Sequence, residues 1–521
     1  MGIWNFYFIT KLFLYLGHYI DFHVLANLAF ALFLVIPVEH PHLKLLRQLV
    51  AIPAGVALFY YDTWLPPFSR LTSQASLVQG FDPVYLMELV GRFISLPVVA
   101  ALGLLYIIYI FAGKKLRIST FVFIAMLTPL LPIATKSSGS STNQPLPESA
   151  KAPATSRPPT DEELTASLDL FYRQEATRTV AFTPPEKSGA PFDIIFLHIC
   201  SLSWDDLDFV KENDNPLFKR FNIVFTNFNS GASYSGPAAI RVLRGSCGQQ
   251  KHDDLYNPPP AQCMTFDNLQ RAGFEPQLAM NHDGHFDNFL AEIRKHGVLN
   301  VPPFDIKGAP PYLQSFDGSP VSDDYSVLSK WWEKRLNTPS ERVALFYNSV
   351  SLHDGNRYSG SRSANSMEIY HPRLTRLLGD LDRFFTQLEA SGRRAVVVFI
   401  PEHGAAIRGD KMQISGMREI PSPRISIVPV GIKLVGVKEN TAAQPLIVSQ
   451  PASYLAVSKL LSDFIGKPPF GENSVGLGEY TRDLPVTEFV SENEDIVIMR
   501  RGNQYNMRSK DSGWIGYDPS E

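Results

Sequence analysis

Three residues of the chain have the donor types that suit zinc: the Cys200 thiol, the Glu402 carboxyl and the His403 imidazole. Three protein ligands with a fourth position open describe a catalytic zinc site rather than a closed structural one. Taken singly the signals are plain. A lone Cys200 reads as a small buried hydrophobe, and Glu402-His403 as a polar turn before Gly404. A second feature is the stretch 230–241, SGASYSGPAAIR, where a Gly/Ser-rich turn runs into Pro237 and then a helical sequence. Serine just before such a proline is ordinarily a helix cap. The same position also suits a nucleophile, because the helix dipole and free N–H groups favour an alkoxide and an incoming phosphate. A neighbouring zinc would lower the hydroxyl pKa further. This reasoning leaves Ser233 and Ser235 unseparated. His353-Asp354-Gly355, His282-Asp283-Gly284 and Arg418 complete the polar candidates. Histidine can protonate a leaving group or hold a phosphate oxygen, and the arginine fork suits phosphate. An isolated His-Asp-Gly is also a common turn.

What would bring these residues together is a sheet. From residue 191 onward, short apolar runs stop abruptly at polar residues. The run 192–199 stops at Cys200, and 274–280 stops at Asn281, His282 and Asp283. The run 343–350 ends near His353 and Asp354, and 395–400 ends at Glu402 and His403. Val/Ile/Phe-rich runs separated by helical stretches predict a mainly parallel central sheet in an α/β domain. In such sheets the ligand site lies beyond the carboxyl ends of the strands, so these residues are expected to converge.

The first 134 residues are of another kind. They hold 8 basic and 5 acidic residues, whereas residues 135–521 hold 40 basic and 46 acidic ones. Five apolar stretches, 4–20, 22–38, 49–65, 93–112 and 118–134, suggest about five membrane-spanning helices. The stretch 93–112 carries no charge and is the clearest, while 49–65 contains Asp62. Lys44 and Arg47, then Lys114, Lys115 and Arg117, fall between stretches and place those loops in the cytoplasm. Five crossings from a cytoplasmic N-terminus would deliver the following domain to the opposite side, the periplasm of a Gram-negative cell. A Ser/Pro/Ala/Thr-rich segment at 136–162 reads as a flexible tether. The expected organisation is thus an anchor at 1–134, a linker at 135–186 and a catalytic domain at 187–521. All three cysteines lie in the last part. Cys247 and Cys263 stand sixteen positions apart in loop-like sequence, and a disulfide between them is reasonable in an oxidising compartment. Such a bridge is worth ~3 kcal/mol in the chain-entropy view. The net charge of -3 gives no basic excess and argues against a nucleic-acid partner.

Four segments carry a family resemblance: FDIIFLHICSLSWDDL, NFNSGASYSGPAAIRVLRGSCGQ, FYNSVSLHDGNRY and PEHGAAIRGDKMQISGMREIPSP. With the WNFYF start, the DTWLP loop and the FDGSP segment, they resemble the cellulose phosphoethanolamine transferases of bacterial cellulose-secretion systems. That family lies in the alkaline phosphatase superfamily, near the transferases that modify lipid A. The resemblance implies a multi-pass inner-membrane anchor, a periplasmic zinc-dependent domain and a place beside the cellulose synthase complex. It also implies transfer of phosphoethanolamine from phosphatidylethanolamine to glucose C6 hydroxyls of nascent cellulose, through a covalent phosphoethanolamine-serine. Position by position, Ser235 matches the nucleophile, and Cys200, Glu402 and His403 match the zinc ligands with the Ser235 oxygen nearby. Tyr234, His353 and Arg418 match substrate-binding residues, and Cys247 and Cys263 match the family's disulfide.

Two other readings have weaker support. A sulfatase needs Cys or Ser followed by x-Pro-x-Arg, and here Ala239 stands where that arginine would be. A non-enzymatic scaffold would not need Cys200, Ser235, Glu402 and His403 all intact.

Overall fold

The computed structural model describes residues 2–17, 19–63, 80–93, 96–114, 118–127, 159–185, 191–360, 365–437, 444–470, 475–510 and 512–520. Most of the tether at 136–162 lies outside these residues, as does most of the DTWLP loop. The chain divides into two compact units, one of residues 1–75 and 90–158, the other of residues 76–89 and 159–521.

The first unit is helical: Trp4–Leu16, Val24–Val35, Pro41–Tyr61, Leu96–Ala112 and Ile118–Ala125. Phe8, Leu12, Phe30, Leu34, Ala51 and Val122 pack in its interior. Beside them sits a buried polar knot. Lys11 pairs with Asp62 at 2.5 Å and donates to Asn27 at 2.7 Å, and Asn27 donates to Asp62 at 2.7 Å.

The expected set of about five spans is not met by the described residues. Among them only Pro41–Tyr61 is long and apolar enough to cross a membrane, or two if the pair Pro83–Arg92 and Pro97–Ala112, bent by 58°, counts as one span. The other helices stop at 13, 12, 17 and 8 residues. Proline shapes these limits, since it starts helices readily and disrupts their interiors. Pro37 follows the second helix, Pro41 opens the third, and Pro97 sits in the first turn of Leu96–Ala112. The qualifying helix overlaps the stretch that Asp62 made least clear. Lys44 and Arg47, read as loop residues, lie inside it, so one of the two loop-charge arguments is lost.

The second unit is built on a sheet of seven strands. Strands are numbered in chain order: β1 Asp193–Ile199, β2 Ile223–Asn229, β3 Glu275–Met280, β4 Pro311–Gln314, β5 Pro320–Ser322, β6 Val343–Ser349, β7 Arg357–Tyr358, β8 Ala395–Pro401, β9 Ile427–Val435 and β10 Leu446–Val448. The main sheet has the order β10-β2-β9-β8-β1-β6-β3. Six strands run in one direction, and β9 alone is antiparallel, between β2 and β8. The sheet is therefore mixed, with a parallel centre at β8-β1-β6-β3. Every residue of β1, β6 and β8 is buried, which is why these strands read as unbroken apolar runs. Alternate residues feed two cores: Ile194 and Phe196 face one with Val398 and Ile432, Ile195 and Leu197 the other with Leu345 and Val397.

A further sheet, β11 Val490–Glu492, β12 Ile496–Arg501, β13 Gln504–Ser509 and β14 Trp514–Tyr517, lies near the C-terminus. It corrects the expected extent of the linker. Residues 161–175, placed in the linker at 135–186, form a helix whose Leu164, Leu168 and Tyr172 pack on Val490, Val497, Met499 and Trp514. A reciprocal cap starts this helix: the Thr160 hydroxyl accepts from Glu163 N, and the Glu163 side chain accepts from Thr160 N. Residues 76–89, assigned to the anchor by composition, also belong to this unit. Cys247 and Cys263 form a disulfide, and Cys200 is free and buried.

Candidate active site

β1 and β8 are neighbours in register, with Ile199 opposite Pro401. The residues that follow, Cys200 from one strand and Glu402 and His403 from the other, therefore emerge side by side. One donor atom from each lies within 4.8 Å of the others, and all three side chains are buried. Ser235 is the first residue of the helix Ser235–Leu243, whose nine residues are all buried. Its Oγ lies 3.3 Å from Cys200 Sγ and 3.5 Å from His403 Nε2. Ser233 is also buried, but its hydroxyl has no hydrogen-bond partner and takes no part in these contacts. The geometry thus separates two serines that the pattern alone left equal.

Burial and neighbouring charges set the protonation states of the three side chains. Burial, then the adjacent Glu402 carboxylate, push the Cys200 thiol well up. Burial opposes charge on Glu402 too, yet the His198 and His403 imidazoles hold its carboxyl well below the usual range. His403 is pushed down to about 3 by burial and by Arg418, which keeps its imidazole neutral and able to donate a lone pair. Its Nδ1 donates to Gly404 O at 2.9 Å, leaving Nε2 toward Cys200 and Ser235. Glu402 Oε1 accepts from Asn348 at 2.7 Å and lies 3.1 Å from His198 Nδ1. Glu402 Oε2 is buried without a hydrogen-bond partner, 3.7 Å from His403 Nε2. An orphaned carboxylate oxygen beside a thiol and an imidazole is the donor chemistry of a zinc site, so the residues present fit that ion.

Three residues that the pattern missed hold this set in place. Asn348, at the end of β6, also accepts from His282 Nε2 at 2.8 Å. His282 is therefore connected to the cluster through Asn348 and Glu402. His198 points from β1 at the same carboxylate. Asp206 ties the two ligand loops together. Its Oδ2 accepts from Ser203 N at 2.9 Å, the Ser203 hydroxyl at 2.8 Å and Ala405 N at 2.7 Å. Leu202 N donates to His403 O at 2.7 Å and completes the clasp. Burial pushes Asp206 up to about 6 against the bonds from Ala405 and Ser203. The Ser203-x-x-Asp206 spacing of a reciprocal helix cap is the one signal of this residue in the sequence.

The remaining candidates stand around the cluster. The Arg418 guanidinium lies 5.7 Å from the centre of the Tyr234 ring and donates to the Ser201 hydroxyl at 3.1 Å. The Tyr234 hydroxyl donates to Glu419 at 2.5 Å. His353 follows β6 and packs between Phe286 and Phe316, with ring centroids at 4.7 and 5.1 Å. Burial and Arg418 push it down to about 4, so it is neutral near pH 7. Asp283 is more exposed and lies 3.2 Å from His285, outside the cluster.

Such an arrangement can bind a divalent metal, present a serine oxygen beside it and place a guanidinium and a neutral imidazole nearby. The family described as Cellulose biosynthesis protein BcsG C-terminal domain matches residues 148–514, and the corresponding N-terminal domain family matches residues 4–130. The Cellulose biosynthesis protein BcsG of Escherichia coli K12 is 40% identical, over 99% of this chain and 96% of that protein. Its namesake in Salmonella typhimurium LT2 is 40% identical over the same shares. Among solved structures, an alkaline phosphatase superfamily protein from Vibrio parahaemolyticus is 15% identical, at a TM-score of 0.48 over 68% of this chain and 88% of that one. The zinc complex of the C-terminal periplasmic domain of EcEptC from Escherichia coli is 14% identical, at a TM-score of 0.41 over 56% and 86%. Both structural likenesses are distant, whereas the sequence matches span both halves of the chain: it belongs to the BcsG family of cellulose biosynthesis proteins.

Proposed function

We propose that the protein is a zinc-dependent phosphoethanolamine transferase that moves phosphoethanolamine from phosphatidylethanolamine to glucose C6 hydroxyls of nascent cellulose. One observation carries this reading: the Ser235 hydroxyl, at the start of a buried helix, faces Cys200 and His403 beside an unpartnered Glu402 oxygen. Family membership supports cellulose as the acceptor. Cys200, Glu402 and His403 would hold the zinc, with the Ser235 oxygen next to them. Bound there, the ion lowers the pKa of the serine hydroxyl and offsets charge on the phosphate.

The chain's own residues then account for two displacements. Ser235 Oγ attacks the lipid phosphorus, its bond to the diacylglycerol oxygen breaks, and that oxygen takes up a proton. Phosphoethanolamine stays on Ser235 as a phosphodiester. A glucose C6 hydroxyl then attacks the same phosphorus, the bond from phosphorus to Ser235 Oγ breaks, and the proton lost by the glucose hydroxyl is balanced by one taken up on Ser235 Oγ. The free N–H groups at the start of Ser235–Leu243 favour the phosphate oxygens. Arg418 and Tyr234 orient the phosphate, and His353, neutral at pH 7, assists in substrate binding. A covalent relay lets a lipid and a glucan use one site in turn.

The apolar helix Pro41–Tyr61 supports an anchor in the inner membrane, and the Cys247–Cys263 disulfide supports an oxidising location such as the periplasm. Both substrates meet there, beside the cellulose synthase complex. Phosphorus NMR of cellulose from cells with and without the protein tests the reading. A phosphodiester signal that depends on the protein supports it, and cellulose with identical phosphorus spectra in both strains contradicts it.

A further inference from the structure

The composition assigns residues 76–89 to the membrane anchor, yet they fold with the catalytic unit and reach its site. The helix Pro83–Phe93 carries Tyr85, which is 6% exposed. The Tyr85 hydroxyl donates to Asp354 Oδ2 at 3.0 Å. Asp354 Oδ1 accepts from Gly355 N and from the Ser366 hydroxyl, both at 2.8 Å. On the same helix, Glu88 accepts from Arg357 at 2.8 Å and from Ser366 N at 3.1 Å, and it lies 2.7 Å from the Ser366 hydroxyl, whose single proton goes to Glu88 or to Asp354 at any one time. Asp82 N donates to Phe316 O at 2.7 Å.

These contacts converge on His353. Its Nδ1 donates to the carbonyl of Asp354 at 2.7 Å, and its ring packs on Phe316. Gly355 shows how closely the helix is seated. It has φ +82°, and a Cβ there would lie 2.6 Å from Phe316 Cβ and 2.9 Å from the Tyr85 ring. The His-Asp-Gly motif is therefore more than a turn: glycine leaves room for the tyrosine that holds the aspartate.

We propose that Tyr85 is a positioning residue for the transfer reaction, acting through Asp354 on His353, and that a catalytic domain cut from the chain at residue 187 lacks a working part of its site. The inference rests on the transferase reading above and adds an element from the first 134 residues to it. Loss of one hydroxyl donor to a buried carboxylate corresponds to a rate loss of about tenfold.

The test uses the full chain in detergent micelles, with phosphatidylethanolamine as donor and a soluble cello-oligosaccharide as acceptor. Tyr85→Phe keeps the ring that packs against Gly355 and removes only the hydroxyl. The expected result is a kcat lower by about tenfold, a donor KM within about threefold, unchanged zinc content and a Tm lower by only about 2–4 °C. Asp354→Asn should also lower kcat, and the double variant should be no slower than Asp354→Asn alone, because the two act as one unit. Wild-type kcat in Tyr85→Phe, multiplied losses in the double variant, or a Tm drop well beyond that range would each overturn the proposal. Ser235→Ala runs beside them. If it is inert while Tyr85→Phe is fully active, only this inference falls; if it is active, the covalent Ser235 route falls and the transfer is direct; if wild type itself transfers nothing, the transferase reading falls.

Discussion

Replacing Asp206 with alanine tests whether the two ligand loops are held by one carboxylate. Asp206 is 1% exposed, and its Oδ2 serves Ser203 N, the Ser203 hydroxyl and Ala405 N. Alanine strands the Ser203 and Ala405 N–H groups in the interior, at about 1–3 kcal/mol each, and also loses the longer 3.4 Å bond from Ile407 N to Oδ1, while the hydroxyl can turn elsewhere. The loss is about 4 kcal/mol, or a Tm lower by roughly 8 °C at about 2 °C per kcal/mol for a large domain. Zinc affinity should fall about 10- to 100-fold, as it does when outer-shell support is removed. Asparagine is the control. It keeps an acceptor oxygen and loses only a charge that burial already disfavours, since Asp206 is pushed up to about 6. That change should cost about 1 kcal/mol. Thermal unfolding of the full chain in detergent and zinc titration against a competing chelator read both effects. An alanine variant with unchanged Tm and zinc affinity, or an asparagine variant as damaged as alanine, would refute the reasoning.

Metal analysis after dialysis should find about one zinc per chain, and Cys200→Ala or His403→Ala should lose it with folding largely kept; a fully active metal-free protein would end the zinc assignment. Thiol counting on unfolded, unreduced protein should find one free cysteine of three, Cys200; three free thiols would remove the disulfide. The raised Asp206 pKa also has a signed consequence. The folded chain holds this proton up to about pH 6, whereas an unfolded aspartate releases it near pH 4, so its stabilising contribution is complete at acid pH and fades as pH rises through 6. Stability of wild type relative to Asp206→Asn should therefore be greater at pH 4.5 than at pH 7 by roughly 2 kcal/mol, measured by denaturant unfolding. A difference that is flat, or larger at pH 7, would contradict it.

The parts of the fold legible in the sequence are those written locally. β1, β3, β6 and β8 are buried throughout or toward their carboxyl ends, so each shows as an apolar run stopping at a polar residue. Because those runs stop at comparable points, Cys200, Glu402 and His403 group together on the sequence pattern alone. Long-range support was not legible. Asn348 and Glu402 are 54 positions apart, Asp206 and Ala405 are 199 apart, and Tyr85 and Asp354 are 269 apart. No periodicity links such pairs. The antiparallel β9 has the same apolar character as its parallel neighbours, so its direction could not be read from composition. The helix Asp161–Glu175 was hidden by the tether before it, although Thr160 and Glu163 had the spacing of a cap. In the first 134 residues, apolarity was visible, but the breaks that leave one long span among the described residues were not.

The central claim is that Ser235 carries the phosphoethanolamine. The most direct measurement is mass spectrometry of the full chain incubated with phosphatidylethanolamine and no glucan. A phosphoethanolamine adduct should accumulate on the peptide that contains Ser235, disappear when a cello-oligosaccharide is added, and be absent from Ser235→Ala but present in Ser233→Ala. An adduct on Ser233, or a fully active Ser235→Ala protein that forms none, would contradict the account and return the reaction to a direct, single-step transfer.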